Sequence, residues 1–312
     1  MANKNRSTTP AQSTSKSSAS TKAARREAAQ AELKRVQAQQ RRNRLVWTGT
    51  IVVAVVAIFA VVIVFGIMRS GGSGAKTTAA TSQLTKTLAT IPTTAYDSTS
   101  VVTPSNPPVT LSGSTPMTED GKPRVLYVGA EYCPFCAAER WAMVAALSRF
   151  GTFSNLGQTT SSHADQFPDT PTLSFHGSSY SSKYLVFKGY ETQSNQVQGS
   201  TYAPLDKLST ADGKLFNKYD FPPYFDSKGA IPFVDFGGKY ASQGASYSPG
   251  ILAGMTHQQV ADAIADPSTD ISKSVLGTAN VFTAALCQLT HNQPSNVCAT
   301  SGVEAGLAAL PQ

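Results

Sequence analysis

Two cysteines, Cys133 and Cys136, have only two residues between them. This spacing lets both sulfur atoms reach bonding distance without moving the backbone, so the pair could carry out thiol–disulfide exchange. A zinc site is disfavoured. The only other cysteines, Cys287 and Cys298, lack the spacing of roughly two to four residues that zinc ligands use, and the chain has only four histidines. A static structural disulfide between Cys133 and Cys136 remains an alternative.

The residues around the pair predict a turn from a strand into a helix. Residues 124–129 (RVLYVG) are rich in β-branched and aromatic side chains, which is typical of a short buried strand. A helical pattern follows, and its candidate core contacts are Ala138, Trp141, Ala142, Ala145, Leu147 and Phe150. Pro134 suits the first turn, where its missing N–H would be unpaired anyway. Cys133 then lies at the helix N-terminus, which favours a thiolate and lowers the expected pKa of its thiol. Cys136 lies one turn further in and could resolve a mixed disulfide.

Three segments resemble parts of the thioredoxin-fold disulfide oxidoreductases. Residues 130–136 (AEYCPFC) resemble their active-site segment, and residues 229–238 (GAIPFVDFGG) resemble their cis-proline loop and the strand after it. Residues 253–256 (AGMT) are similar to the turn that leads into the last helix. The resemblance implies a thioredoxin-like α/β fold, in which helices flank a central mixed sheet.

The same resemblance implies roles for single residues. Pro232 corresponds to the cis-proline that packs against the dithiol, although an ordinary trans proline remains the alternative. The backbone of Ile231 would contact a substrate peptide, with Tyr132, Pro134 and Phe135 supporting the substrate site. No metal and no organic cofactor is expected, because the dithiol itself carries the electrons.

Two features depart from the family pattern. Residues 151–228 are much longer than the matching connection of a minimal thioredoxin, so they predict an insertion before the cis-proline strand. Tyr127 stands six residues before Cys133, where thioredoxins bury an acid that moves protons. Three charged residues nearby could replace that acid, or could be solvated charges on a helix face: Glu131, Glu139 and Arg140.

The late cysteines predict a structural disulfide. Apolar residues at helical spacing indicate one long helix within the C-terminal helical segment 268–312, and this helix ends before Pro294. A bond from Cys287 in its last turn to Cys298 would fix the end of the chain. A second redox relay is the alternative, because shuttling electrons needs accessible and labile sulfur atoms.

The first 68 residues have a different composition from the rest. Residues 45–68 are uncharged and apolar, and their 24 residues exceed the roughly 20 that a transmembrane helix needs. Residues 1–44 hold 11 of the 26 basic and 2 of the 19 acidic residues, so they predict a disordered or helical tail on the cytoplasmic side. The other 268 residues hold 15 basic and 17 acidic residues. A nucleic-acid-binding fold is therefore disfavoured.

The remaining chain divides into three parts. Residues 69–82 predict a flexible linker, residues 83–120 an extended N-terminal segment of the exported region, and residues 121–312 the thioredoxin-like domain. The body resembles an uncharacterised family of membrane-anchored exported bacterial proteins, a domain of unknown function with a Cys-Pro-Phe-Cys motif.

These features predict a single-pass protein of the cell membrane that presents its dithiol outside the cytoplasm. We expect a thiol–disulfide oxidoreductase that acts on exported proteins carrying thiols or disulfides. It would exchange electrons with a membrane-bound or soluble redox partner. The alternative is a non-catalytic binding or scaffold module that keeps its cysteines as structural disulfides.

Overall fold

The computed structural model describes residues 73–99 and 104–311. The predicted basic tail (1–44), the predicted transmembrane helix (45–68) and the first linker residues lie outside this part of the chain. No helix within it is long and apolar enough to cross a membrane. The longest of them, Asp270–Leu289, has 20 residues but includes Asp, Lys, Ser, Thr and Asn side chains. The described residues therefore give no support to the predicted single-pass anchor or to the extracytoplasmic placement inferred from it.

The described residues form a mixed α/β structure with four sheets. The strands are β1 (Thr78–Ala79), β2 (Val109–Thr110), β3 (Thr118–Glu119), β4 (Lys122–Gly129), β5 (Gly151–Ser154), β6 (Gly157–Thr160), β7 (Pro171–Ser174), β8 (Ser179–Ser182), β9 (Val186–Glu191), β10 (Gln193–Gln198), β11 (Thr201–Pro204), β12 (Phe233–Phe236) and β13 (Tyr240–Gln243).

The helices lie at the two ends of the described chain and between groups of strands. They are α1 (Ser82–Ala89), α2 (Thr93–Ser98), α3 (Pro134–Leu147), α4 (Thr210–Tyr219), α5 (His257–Ala265), α6 (Asp270–Leu289), α7 (Ser295–Cys298) and α8 (Ser301–Ala308), with a short 3-10 helix at Pro249–Leu252.

The largest sheet is built around β4. Its strand order is β2-β13-β12-β4-β3, and β9 also pairs with β4. β4 runs antiparallel to β12 and parallel to β9. Val125 and Tyr127 of β4 point into the larger core cluster, whereas Leu126 and Val128 point into a smaller cluster on the opposite face. Because both faces are covered, β4 is a continuous apolar run rather than an alternating one.

Helix α3 follows β4 and is buried on almost every side. It packs against α6 and against β7, and its many alanines permit close approach. The core contacts predicted for this helix are all buried. Glu139 and Arg140 are also fully buried, so the alternative that they are solvated charges is wrong. The reason is that α3 lies between elements on opposite sides and has no exposed face for them.

Residues 151–228 were predicted to be an insertion, but they also contribute a strand to the central sheet. Strand β9, which lies within them, is the parallel neighbour of β4 and therefore part of the central sheet. The other strands of this stretch form small sheets, β6 and β7 with β1, β5 with β8, and β10 with β11. The prediction of one central sheet with an attached insertion and a transmembrane helix is corrected to a mixed α/β structure with several sheets.

The C-terminal helices cover one side of the core. α5 begins with a capping box, in which Thr256 and Gln259 exchange side-chain and backbone hydrogen bonds. α6 packs against α3, and α7 and α8 pack against α6. A disulfide with a Cα–Cα distance of 5.7 Å joins Cys287 near the end of α6 to Cys298 at the end of α7.

Candidate active site

The two cysteines of the Cys-x-x-Cys pair lie at the start of α3, shortly after β4 ends. Cys133 is the N-cap residue of α3 and has extended backbone angles, while Pro134 occupies the first turn. The Cys133 Sγ accepts a hydrogen bond from the backbone N–H of Cys136 at 3.3 Å. The sulfur thus accepts the capping hydrogen bond that a Ser or Asp oxygen usually accepts at an N-cap. It faces the unpaired N–H groups of the helix terminus. This is an environment in which negative charge on sulfur is favoured.

The two sulfur atoms differ in their access to solvent. Both cysteines are free thiols, and Cys133 keeps 6% of its surface exposed whereas Cys136 keeps none. A partner molecule can therefore reach Cys133 first. Cys136 can react only with the neighbouring Cys133 Sγ, once that atom is part of a mixed disulfide.

Burial also changes the acidity of the inner thiol. Burial raises the pKa of Cys136 well above its ordinary value, and the hydrogen bond and charge of Cys133 raise it further. The Arg140 guanidinium acts in the opposite direction but does not offset burial. Cys136 therefore holds its proton at neutral pH while the pair is reduced.

Pro232 lies beside the pair although it is about a hundred residues away in sequence. The Ile231–Pro232 peptide bond is cis, and the Cys133 Sγ lies 3.8 Å from the Ile231 carbonyl oxygen. β12 starts at the next residue and pairs Phe233 with Val128 of β4. The pairing of β12 with β4 is thus what brings the prolyl loop to the end of the strand that precedes Cys133.

The aromatic residues on either side of the Cys133–Pro134 dipeptide each pair with a second aromatic ring. The ring of Tyr132 stacks on Tyr202 with centroids 4.4 Å apart, and the ring of Phe135 meets Phe167 edge-on at 5.8 Å. Tyr132, Phe135 and Phe167 are only half-buried. Sequence reasoning had placed Tyr132 and Phe135 here, but it missed Phe167 and Tyr202, which come from the 151–228 stretch.

An ion pair lies directly behind the dithiol. The Arg140 guanidinium donates from Nε and Nη2 to the two carboxylate oxygens of Glu191, at 2.7 and 2.6 Å. Arg140 Nη2 also donates to the carbonyl oxygen of Ala130, at 2.6 Å. Both charged side chains are fully buried. Burial alone would lower the pKa of Arg140, but the Glu191 carboxylate more than offsets this and keeps the guanidinium charged.

A second acid lies in the loop between β4 and the dithiol. Glu131 is almost fully buried, and one of its carboxylate oxygens accepts hydrogen bonds from the hydroxyls of Thr77 and Ser174 at 2.8 and 2.7 Å. The backbone N–H of Glu131 donates to the carbonyl oxygen of Gln193 at 2.9 Å. These bonds tie the loop before Cys133 to three other parts of the chain. We assign Glu131 to holding this loop, since both bonds to its carboxylate come from neutral hydroxyls.

A tyrosine stands at the position where thioredoxins bury an acid. Tyr127 is fully buried, and its hydroxyl has no hydrogen-bond partner. Burial raises the pKa of that hydroxyl well above its ordinary value, Arg140 opposes this, and the charge of Cys136 adds to it. A neutral tyrosine cannot accept the proton of Cys136, so proton transfer by a buried carboxylate at this position does not occur in this chain.

The described residues do not form a metal site. Within residues 73–99 and 104–311, no group of three or more His, Cys, Asp or Glu side chains is arranged to hold a metal ion. Cys287 and Cys298 are bonded to each other and lie at the end of α6, away from the Cys-x-x-Cys pair. The structure thus brings together Cys133, Cys136, Ile231 and Pro232, and leaves the late cysteines apart from them.

Comparison with known proteins gives one match. The family model described as Domain of unknown function (DUF929) matches residues 109–288, a range that includes the dithiol and the prolyl loop. No curated protein and no solved structure matches the chain. Because the matched range is more than half of the chain, this protein belongs to the family Domain of unknown function (DUF929).

Proposed function

We propose that this protein is a thiol–disulfide oxidoreductase that acts on other proteins through Cys133 and Cys136. One observation carries the proposal: the N-cap thiol of Cys133 is the more accessible of the two and lies 3.8 Å from the backbone of the cis-prolyl loop. A nucleophilic sulfur at a helix N-terminus, beside backbone that can pair with a peptide, is the arrangement that disulfide exchange requires. The resemblance of residues 130–136 and 229–238 to segments of thioredoxin-fold oxidoreductases supports the same proposal.

The reaction needs no group other than the two thiols and the substrate. As a thiolate, Cys133 attacks one sulfur of a substrate disulfide, forms a mixed disulfide and releases the other substrate sulfur as a thiolate that takes up a proton. Cys136 then gives up its proton and attacks the Cys133 Sγ, which releases the second substrate thiol. The substrate gains two electrons and two protons, and the Cys133–Cys136 pair becomes a disulfide. The same steps in reverse oxidise a dithiol substrate.

The protonation of Cys136 supports this order of events. Because burial raises the pKa of its thiol, Cys136 does not compete for substrate in the reduced state. The charge on Arg140 lowers the cost of ionising Cys136 once the mixed disulfide has formed. Cys133 is therefore the attacking group and Cys136 the resolving group.

The half-buried rim supports a peptide as the substrate. Tyr132 and Phe135 flank the Cys133–Pro134 dipeptide in sequence, Ile231 contacts the Cys133 sulfur through its carbonyl oxygen, and all three side chains are half-buried. Aromatic groups of this kind give contact area without demanding a particular charge. We expect the substrates to be proteins with accessible disulfides or thiols, and a separate redox partner to restore the dithiol.

The proposal is tested with the full chain and insulin as substrate. Cys133→Ser should abolish insulin reduction in the presence of a thiol reductant, because the remaining thiol of Cys136 is fully buried and out of reach of the substrate. Cys136→Ser should also stop turnover, but should accumulate a mixed disulfide that mass spectrometry detects. The two variants are matched controls, since each removes one sulfur and they differ only in which step is blocked.

Selective alkylation provides an independent measurement. After mild reduction, iodoacetamide should modify Cys133, which is the more exposed thiol, while Cys136 should stay unmodified until the protein unfolds. If both thiols are alkylated at the same rate, and if Cys133→Ser leaves every measurable activity intact, the chain is a non-catalytic binding module instead.

A further inference from the structure

One large groove in the described part of the chain lies far from the dithiol. It is an open groove of about 820 Å³ at the edge of the central sheet where β4 begins. The dithiol follows the opposite end of β4, so the length of this eight-residue strand, about 25 Å, separates the two sites. The groove therefore cannot be part of the substrate site around Cys133.

Apolar side chains form the floor of the groove. Leu111 and Met117 come from the segment between β2 and β3, Leu289 is the last residue of α6, and the three meet there, with Pro116 and Tyr184 completing the surface. Leu111 and Met117 are buried, whereas Leu289 and Tyr184 are half-buried and leave apolar atoms facing the groove. A cavity of this volume, with an apolar lining and a few polar groups, has the dimensions of a small-molecule site.

Lysines are the only formally charged side chains that line the groove. Lys122 and Lys183 lie on one side, where Lys122 Nζ donates to the carbonyl oxygen of Ser182 at 3.1 Å. Lys239 lies on the other, where its Nζ donates to Gln288 Oε1 at 3.3 Å. None of the three forms an ion pair with a described residue, and Lys183 has no hydrogen bond to one either. Each ammonium group therefore retains N–H donors for an anion.

Acidic residues near the groove do not neutralise it. No Asp or Glu lines the groove itself. Glu119, which neighbours the lining residue Thr118, makes its ion pair with Arg124 at 2.8 Å. Asp120, next to the lining residue Gly121, is exposed and forms no ion pair with a described residue. The three lysines outnumber this one carboxylate, so an anion that enters the groove meets net positive charge at the rim and apolar surface below it.

We propose that this groove binds a small amphiphile with one anionic headgroup, a carboxylate or a phosphate ester, and an apolar body. The headgroup lies between Lys122 and Lys183, and the apolar body covers Leu111, Met117 and Leu289. The site is independent of the dithiol and of the function proposed for it.

The test titrates the full chain by isothermal calorimetry with decanoate, decyl phosphate, decyl maltoside and inorganic phosphate. Decanoate or decyl phosphate should saturate one site with a dissociation constant below about 1 mM. Decyl maltoside, which has the same alkyl chain without charge, and inorganic phosphate, which has charge without the chain, should bind at least about tenfold more weakly. Tighter binding of decanoate points to a fatty-acid-like ligand, and tighter binding of decyl phosphate to a phospholipid-like one.

Paired variants locate the binding. Lys122→Gln/Lys183→Gln should weaken both anionic probes about tenfold or more. Lys207→Gln/Lys214→Gln removes two exposed lysines outside the groove and should change nothing, although it alters the net charge equally.

A third variant blocks the groove without removing charge. Thr118→Trp, at an exposed position of the lining, should abolish binding by filling the groove. Equal affinity for decyl maltoside and decanoate, absence of saturation by either anionic probe, or undiminished binding by the groove-lysine variant would overturn the proposal.

Discussion

Removing a single hydroxyl from each of two buried tyrosines should destabilise the protein at one position and not at the other. Tyr127 and Tyr96 are 0% and 3% exposed. The Tyr127 hydroxyl has no hydrogen-bond partner, whereas the Tyr96 hydroxyl donates to the carbonyl oxygen of Ala145 at 3.0 Å. Ala145 belongs to the last turn of α3, where carbonyl groups lack partners within the helix. Replacing either tyrosine by phenylalanine keeps the ring and removes only the oxygen.

The magnitudes follow from these hydrogen bonds. A buried hydroxyl without a partner costs about 1–3 kcal/mol of desolvation, so Tyr127→Phe should leave the free energy of unfolding unchanged or raise it by up to about 1 kcal/mol. Tyr96→Phe loses a hydrogen bond and leaves a buried carbonyl unpaired, so it should lower that free energy by about 1–2 kcal/mol. The Arg149 guanidinium, 4.3 Å from the Tyr96 ring centre, keeps its contact in the variant.

Urea denaturation of the two variants and the parent chain measures these differences directly. The two variants should differ on the order of 2 kcal/mol, which corresponds to about 4–8 °C in thermal midpoint for a domain of this size. If Tyr127→Phe were as destabilised as Tyr96→Phe, the Tyr127 hydroxyl would have to make a hydrogen bond in solution. The view of it as an unpaired buried group would then be wrong.

Three further predictions concern other buried groups. Replacing both Cys287 and Cys298 by alanine should cost about 3 kcal/mol, because their bond closes a loop between residues 11 positions apart; equal stability of the oxidised and reduced parent chain would contradict this. Burial raises the pKa of Glu139 from 4.5 to about 7, so its protonated form is the one that folding favours. The parent chain should then lose stability as pH rises from 4.5 through 7, and Glu139→Gln should remove on the order of 3 kcal/mol of that loss between pH 4 and pH 8; parallel stability curves for the two chains would refute it. Arg140→Met alone should destabilise by about 3–5 kcal/mol, because it leaves the Glu191 carboxylate buried without its partner, and the double change with Glu191→Leu should recover most of the loss in the same urea assay.

The local features of the site followed from the sequence because they depend on neighbours in the chain. An apolar run, then Cys133 and Pro134, then helical spacing are sufficient to predict a strand, an N-cap and a helix, and the structure has β4 and α3 at these places. The approach of Pro232 to Cys133 could be expected only from the resemblance to a known fold. Nothing within a few residues of either position specifies a contact that depends on the pairing of β12 with β4.

The errors arose where burial depends on distant elements. Glu139 and Arg140 look like surface charges on α3 because charged residues are seldom fully buried without partners. Their partners, Ser246 and Glu191, lie 107 and 51 residues away, so the sequence near α3 gives no sign of them. Strand β9 was assigned to an insertion for the same reason, since its place beside β4 is decided by long-range pairing.

The Arg140–Glu191 pair explains how these distant elements hold the dithiol. Glu191 is the last residue of β9, Arg140 lies on α3, and Arg140 also binds the carbonyl of Ala130 in the loop that leads to Cys133. A buried ion pair adds little net stability, because desolvation offsets most of the attraction between the charges. Its bidentate geometry does fix orientation, and here it joins the central sheet, the helix and the loop at one guanidinium. The same charge lowers the cost of ionising Cys136. One side chain therefore both positions the loop before the attacking sulfur and assists the resolving sulfur, which makes Arg140 the residue on which the geometry of the proposed reaction most depends.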